Sequence, residues 1–229
     1  MMLRPKGSDA DILVHMIDEY SEFLASLTWT PTTILEGGGN MGVATMLLAH
    51  MYPVATIVTL EPEPGNCWLL QVNTRAFPNV NVECTGLWDK DANLKIVPSD
   101  DNLDWGWRTL EVVQPSADTI TAASVPSLMR KYGLAGGFDY AKLDIEGAEW
   151  KVFEGDNARG WLGSLKLLSL EVHNHMATPE QAQHLDSFLQ GQGYSKSLHG
   201  EYEVWAVPEL EPYLHSEQKI KQNKMLGGI

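Results

Sequence analysis

Two short stretches gather acids and imidazoles closely enough to do proton chemistry. Lys142-Leu143-Asp144-Ile145-Glu146-Gly147-Ala148-Glu149 carries three carboxylates, and Glu171-Val172-His173-Asn174-His175 adds a fourth with two histidines. An imidazole held beside carboxylates is equipped for general-base work, which contributes about 10²–10⁴-fold when the base is well placed. His173 is the candidate base, Asp144 the group that orients it or the substrate, and Glu171 the acid at their side. Glu146 and Glu149 have a plainer reading, since acids favour the positive end of a helix dipole in its first turn. Lys142 reads as the partner of an acid and His175 as a surface residue. A divalent ion among Asp144, Glu171 and His173 is conceivable, but no dense oxygen-ligand loop supports it. The site is read as metal-free.

A second constellation lies upstream. Ile34-Leu35-Glu36-Gly37-Gly38-Gly39-Asn40-Met41-Gly42 is an apolar strand ending in an acid, then a glycine turn, then the start of an amphipathic helix. The next apolar strand, Thr56-Ile57-Val58-Thr59-Leu60, closes on Glu61 and Pro62. Gly37-x-Gly39-x-x-Gly42 satisfies the dinucleotide fingerprint, with Glu61 near the position of a ribose-binding acid. Gly38-x-Asn40-x-Gly42 satisfies a pattern for S-adenosylmethionine (SAM) equally well. Glu36 separates the two, because a pyrophosphate is repelled by a carboxylate at the mouth of the turn and the ammonium and sulfonium of SAM are not. In this reading the turn and helix start offer backbone N–H groups to the cofactor carboxylate, and Glu61 accepts from both ribose hydroxyls. Trp88, after the third strand, is placed near the adenine. Either acid alone also reads as a solvated strand end; the strand–turn–helix–strand set is the stronger signal.

These residues need elements to position them. Apolar positions from Ile12 to Leu27 form a helical stripe over 9–27, capped by Asp9 or Asp11. Strand 32–36, helix 41–51 and strand 55–61 make a βαβ unit, followed by helix 64–76 with Pro64 at its start and strand 80–84. Residues 94–97 and 107–113 alternate as antiparallel strands around a polar loop from Pro98 to Asp104, an inserted β-segment within an irregular 86–124. Helix 125–132, strand 138–144, a helix through Phe153, a fully apolar strand 165–172, helix 178–190 and a hairpin of 194–198 with 201–207 complete the pattern. The expected fold is α/β and Rossmann-like, a mostly parallel seven-stranded sheet with helices on both faces and a C-terminal antiparallel hairpin. Ligands in such sheets bind at the carboxyl ends of the strands, near the switch in strand order. The expected organisation is an N-terminal helical segment 1–30, a nucleotide-binding domain 31–207 and a tail 208–229.

Composition sets the outer bounds. The chain has 229 residues, 44% hydrophobic and 20% charged, which suits one globular domain. A net charge of −14 repels polyanions, so nucleic acid is not an expected partner. Cys67 and Cys84 read as buried thiols more readily than as a disulfide. No secretory core and no apolar run long enough to span a bilayer is visible, so a soluble cytoplasmic protein is expected.

The motifs resemble those of the FkbM-type SAM-dependent methyltransferases. Glu36-Gly37-Gly38-Gly39-Asn40-Met41-Gly42 resembles their acid-x-Gly-Ala-Asn-x-Gly opening, with Glu for the usual Asp and Gly39 for Ala. Glu61-Pro62-x-Pro64 resembles their second-strand ending. Leu143-Asp144-Ile145-Glu146-Gly147-Ala148-Glu149 matches the Asp-x-Glu-Gly-Ala-Glu signature, and Glu171-x-His173 the Glu-x-His of the fifth strand. The similarity spans roughly 32–207. It implies a class I methyltransferase fold and O-methylation of a small hydroxylated molecule such as a sugar or natural product. Two other readings stand beside it: an NAD-type oxidoreductase, and a methyltransferase-like fold that binds a partner without chemistry.

Overall fold

In the computed structural model, strands and helices alternate around one seven-stranded sheet; the structure describes residues 1–5, 7–98, 107–116, 118–173 and 176–213. The strands are β1 (Thr33–Gly37), β2 (Thr56–Leu60), β3 (Val80–Glu83), β4 (Gly86–Trp88), β5 (Ala92–Pro98), β6 (Trp107–Glu111), β7 (Thr119–Ser124), β8 (Tyr140–Leu143), β9 (Leu167–Glu171), β10 (Ser195–His199) and β11 (Tyr202–Ala206). The helices are α1 (Asp9–His15), α2 (Ser21–Ser26), α3 (Val43–Met51), α4 (Pro64–Thr74), α5 (Val125–Lys131), α6 (Glu149–Val152), α7 (Gly155–Leu162) and α8 (Pro179–Gly191). The main sheet runs β10-β11-β9-β8-β1-β2-β3. Its five strands from β9 to β3 are parallel, and β11 is antiparallel to both β9 and β10.

Strand order reverses between β1 and β8, because β1 leads outward to β2 and β3 while the chain returns to β8 on its other side. Adjacent strand ends diverge at such a point and leave a crevice. The central strands are buried on both faces: Ile34, Tyr140 and Leu167 point to a core under α1, α2 and α3, while Leu35, Ala141 and Leu168 point to one under α5, α7 and α8. Burial on both faces explains why these strands read as nearly unbroken apolar runs.

Local chemistry sets the helix starts. Glu63 caps α4 through the Asn66 N–H, with Pro64 in the first turn. Thr178 and Gln181 form a reciprocal capping box on α8.

Several expectations are corrected. The single helix over 9–27 contains a π-helical turn at Met16–Tyr20, and Ser8 occupies the N-cap position in place of Asp9 or Asp11. Asp9 is buried and paired with Arg4. The helix after β8 is two short ones, divided where Gly155 takes φ +77°. The irregular segment 86–124 contains a second sheet ordered β4-β7-β5-β6. Its β4 is very short and the small residues of β7 lack apolar alternation, so neither announces itself. Most of the loop expected from Pro98 to Asp104 lies outside the described residues. Of the tail, Pro208–Tyr213 is a 3₁₀ turn and the rest lies outside the described residues.

Cys67 and Cys84 are joined in a disulfide, with Cα atoms 5.6 Å apart. The first turn of α4 lies against the end of β3, a juxtaposition made by the fold that linear spacing does not reveal. Among the described residues, no helix is long and apolar enough to cross a membrane.

Candidate active site

Two adjoining clefts open at the carboxyl ends of β1, β2, β8 and β9. The first lies on the β2 side, against Glu61, Pro62, Asn66, Leu87 and Ile145. The second lies on the β9 side, against Lys142, Glu171, His173 and the inner face of α1. Gly38, Asn40, Asp144 and Glu146 line both.

The glycine turn is built for close approach. Gly38 has φ +79°, and a Cβ there would stand 1.8 Å from the Asp144 carbonyl oxygen. Only glycine lets β1 and β8 meet at this point. Gly39 shows why the departure from alanine matters: a Cβ would lie 2.5 Å from Thr59 Oγ1 and 2.9 Å from Leu70 Cδ2. Asn40 also takes a left-handed backbone, φ +47°, a conformation its short polar side chain tolerates.

The N–H groups of this turn are already engaged. Gly38 and Gly39 donate to the Leu60 carbonyl at 3.0 and 2.9 Å, and Gly42 to Gly39 at 2.8 Å. Asn40 N–H donates to Glu61 Oε2 at 2.8 Å, and Met41 N–H to Asn40 Oδ1 at 2.7 Å. Of the turn and helix start expected to face a cofactor carboxylate, the groups of the turn are thus engaged within the protein, those of Gly38, Gly39 and Asn40 with Leu60 and Glu61.

Glu61 is buried at the mouth of the first cleft. It accepts from Asn40 N–H and, at 2.9 Å, from Glu63 N–H. Each carboxylate oxygen keeps a second lone pair. Burial raises its pKa to about 7, against the opposing pull of the backbone donors.

Glu36 stands deeper than expected. It is fully buried beneath the turn, accepts from Thr45 Oγ1 at 2.5 Å, and lines neither cleft. Burial raises its pKa, opposed by Lys142 and by the Thr45 hydrogen bond. Its second oxygen, Oε1, is buried without a hydrogen-bond partner. Trp88 is likewise away from the cleft, packed with Leu94, Ala122 and Ala148; its neighbour Leu87 supplies the wall.

Asp144, Glu171 and His173 do converge in the second cleft. His173 Nε2 lies 3.3 Å from Glu146 Oε2 and 3.9 Å from both Asp144 Oδ1 and Glu171 Oε1. Its other nitrogen, Nδ1, is 2.8 Å from Glu149 Oε1. Glu149, assigned to a helix dipole from the sequence, is completely buried and orients the imidazole; Asp144 does not. Glu146 reaches the ring from a left-handed backbone (φ 52°), followed by Gly147 at φ +88°.

Burial alone would lower the His173 pKa, but the Glu149 hydrogen bond and the charges of Glu149, Glu146 and Asp144 raise it to about 9. Glu171 moves up to about 8, through burial first and then Asp144. Lys142, buried and 3.4 Å from Asp144 Oδ2, keeps its proton because Tyr202, Asp144, Glu36 and Glu171 outweigh its desolvation. Asp144, Glu146 and His173 bring one ligand atom each within 4.8 Å of one another, a spacing that a cation would fit. His175 lies outside the described residues.

Sequence reasoning missed Asn66, hidden in a helix start. It also did not single out Asp11 and His15, which line the second cleft beside Ile12 and Met16 of the apolar stripe.

A curated relative, Methyltransferase 1 from Beauveria bassiana (strain ARSEF 2860), is 23% identical over 210 residues, covering 79% of this chain and 78% of its own. Among solved structures, an O-methyltransferase from Bacillus cereus in complex with SAH (S-adenosylhomocysteine) aligns with a TM-score of 0.47 at 14% identity, over 90% of this chain and 93% of that one. Aeropyrum pernix fibrillarin, in complex with natively bound S-adenosyl-L-methionine, aligns at 0.45 and 15% identity, over 82% and 73%. The model of the methyltransferase FkbM domain matches residues 40–196, well over half of the chain, and the protein belongs to that family of methyltransferases.

Proposed function

We propose that the protein uses SAM to methylate a hydroxyl group on a small molecule. The observation that carries this reading is His173, fixed through Nδ1 by a buried carboxylate and presenting Nε2 to a cleft that adjoins the one lined by Glu61.

The residues present suit the cofactor. Glu61 has lone pairs for two ribose hydroxyls, charge-assisted bonds of roughly 1.5–3 kcal/mol each at best. Pro62, Asn66, Leu87 and Ile145 offer a partly apolar berth for the base. Asp144 and Glu146, at the boundary of the clefts, suit a neighbouring positive charge. When bound, SAM supplies an electrophilic methyl on a sulfonium.

The chain's own residues do the rest. Ile12, Met16 and Val43 give the second cleft an apolar wall that holds an acceptor and excludes water. An alcohol must lose its proton as it reacts, and His173 Nε2 takes it once its own proton has left. Because that imidazole is protonated up to about pH 9 in the free protein, turnover rises with pH across the neutral and mildly alkaline range. The cleft carries Asp144, Glu146, Glu171 and Glu201 against Lys142, and so disfavours anionic acceptors, nucleic acid included.

The test is a panel of neutral polyols, phenols and amines with SAM, read by release of S-adenosylhomocysteine and by mass of the product. Methylated alcohols support the reading. Transfer confined to amines overturns the oxygen assignment, and cofactor binding with no transfer to any acceptor favours a binding protein.

A further inference from the structure

Lys142 is a charged group that the proton transfer to His173 does not use. It stands in β8 and lines the second cleft. Its side chain is only 1% exposed, against 9% for His173 and 16–26% for Glu146, Asp144 and Glu171. Among these groups it is the floor of the cleft. Strand register agrees, because Lys142 pairs with Ser169, four residues before His173. The two side chains therefore enter the cleft from different depths.

The donors of Lys142 are under-used. An ammonium carries three N–H donors, and a buried donor is costly to leave without an acceptor. Among the described residues Lys142 makes one hydrogen bond, to Asp144 Oδ2 at 3.4 Å, longer than an ordinary N–H···O bond. Its other close neighbours are ring faces, with Nζ 5.7 Å from the centre of Tyr202 and 6.0 Å from that of Tyr20. Rings attract a cation but offer no lone pair along an N–H direction. Glu171 supplies the complement. It pairs in register with Tyr202, lines the same cleft and, among the described residues, accepts no hydrogen bond; His173 Nε2 stands 3.9 Å from it. A carboxyl oxygen has a lone pair to offer whether or not the group carries its proton. A hydroxyl, which both accepts and donates, fits between an ammonium and a carboxyl. An anionic oxygen would instead meet Asp144, Glu146 and Glu201.

We propose that the acceptor presents two neighbouring hydroxyls to the second cleft: one gives its proton to His173, and the other lies deeper, accepting from Lys142 and donating to Glu171. This rests on the reading that the protein methylates a hydroxyl. Asp144 reaches both levels, Oδ2 toward Lys142 and Oδ1 toward His173 Nε2 at 3.9 Å, a span that hydroxyls on adjacent carbons can bridge. The cleft volume of about 500 Å³ lies within the range of small-ligand sites. The first hydroxyl passes its proton to Nε2 as its oxygen bonds the methyl carbon and the carbon–sulfur bond breaks. The second makes and breaks no covalent bond. Lys142 is thus a specificity-determining residue that selects neutral diols over single alcohols.

Steady-state kinetics of the full-length chain with SAM, read by release of S-adenosylhomocysteine, test the assignment with three probes: trans-1,2-cyclohexanediol, its monomethyl ether and cyclohexanol. In the parent, kcat/KM for the diol should exceed that for cyclohexanol by about 10–150-fold, the scale of a hydrogen bond to a charged group. The ether should fall between them, because its second oxygen accepts but no longer donates. In Lys142→Met the ratio of diol to cyclohexanol should collapse toward one, with S-adenosylhomocysteine affinity by calorimetry retained. A lysine present only to balance buried carboxylates would slow all three probes alike, and an intact ratio in Lys142→Met overturns the proposal. Should that variant not fold, the parent decides: equal rates with the diol and cyclohexanol also overturn it. Transfer to none of these probes and to no other hydroxyl is a different result, the failure of the O-methylation reading itself.

Discussion

The two clefts share a border but hold their polar groups in opposite ways. On the β2 side nearly everything is tied to backbone. Glu61 accepts from two main-chain N–H groups, the glycine turn is pinned to Leu60, and the Cys67–Cys84 disulfide fastens α4 to the end of β3. On the β9 side one imidazole stands among four carboxylates, each reaching it through a side chain. A cofactor common to every turnover suits a site fixed by main chain. A proton that must move suits side chains whose charge states lie close together. The first region should therefore respond to substitution in affinity, the second in rate and pH dependence.

The largest effect that divides them is expected from His173→Ala. Turnover should fall by about 10²–10⁴-fold, while S-adenosylhomocysteine affinity by calorimetry stays close to the parent. Turnover unchanged by this substitution would remove His173 from the base role. A loss of cofactor affinity equal to the loss of rate would dissolve the division between the clefts.

Opening the disulfide probes the other side. Closing a loop of 17 residues corresponds to about 3 kcal/mol of stability in the chain-entropy description. Cys67→Ser, or reduction by a dithiol, should lower the midpoint of chemical unfolding accordingly and weaken cofactor binding by freeing the first turn of α4. Identical unfolding curves with and without reductant would show that the bridge contributes nothing. Glu61→Gln should follow, costing about 1.5–3 kcal/mol of cofactor binding, or roughly 10–150-fold in affinity. Because Glu61 ionises near pH 7, parent affinity should rise as the pH climbs through neutrality, and the Gln variant should lose that slope.

The same division governs how much was legible in the sequence. The sheet could be read because its strands are buried on both faces and its turns carry glycine, proline and capping residues. The strand ends followed from the fold rule, so Asp144, Glu171 and His173 could be expected to meet. Side-chain direction could not be read. Glu36 stands at the end of β1 whether it faces the cleft or the core, and only its packing against Thr45 and Lys142 decides. Glu149 looked like a dipole acid because its partner, His173, lies 24 residues away. Trp88 depended on β4 and β7, two strands with weak patterns. The disulfide is a pairing across the fold with no local periodicity to betray it.

Glu149→Gln should give the smallest and most specific effect. The amide oxygen can still accept from His173 Nδ1, so the ring keeps its orientation, but the negative charge beneath it is gone. Loss of a buried partner charge lowers the imidazole pKa, so the rising limb of the pH–rate profile should move to lower pH from its parent position near 9. At neutral pH the variant would then match or exceed the parent, an uncommon outcome for the loss of a completely buried carboxylate. Stability carries the opposite sign. A histidine whose folded pKa is raised stabilises the protein fully below its unfolded value of about 6.5 and loses that contribution as the pH rises through about 9. Parent and variant should therefore differ most in unfolding free energy at mildly acidic pH and converge above 9. A limb that stays in place, with stability offset equally at every pH, would mean that Glu149 only packs beneath the ring.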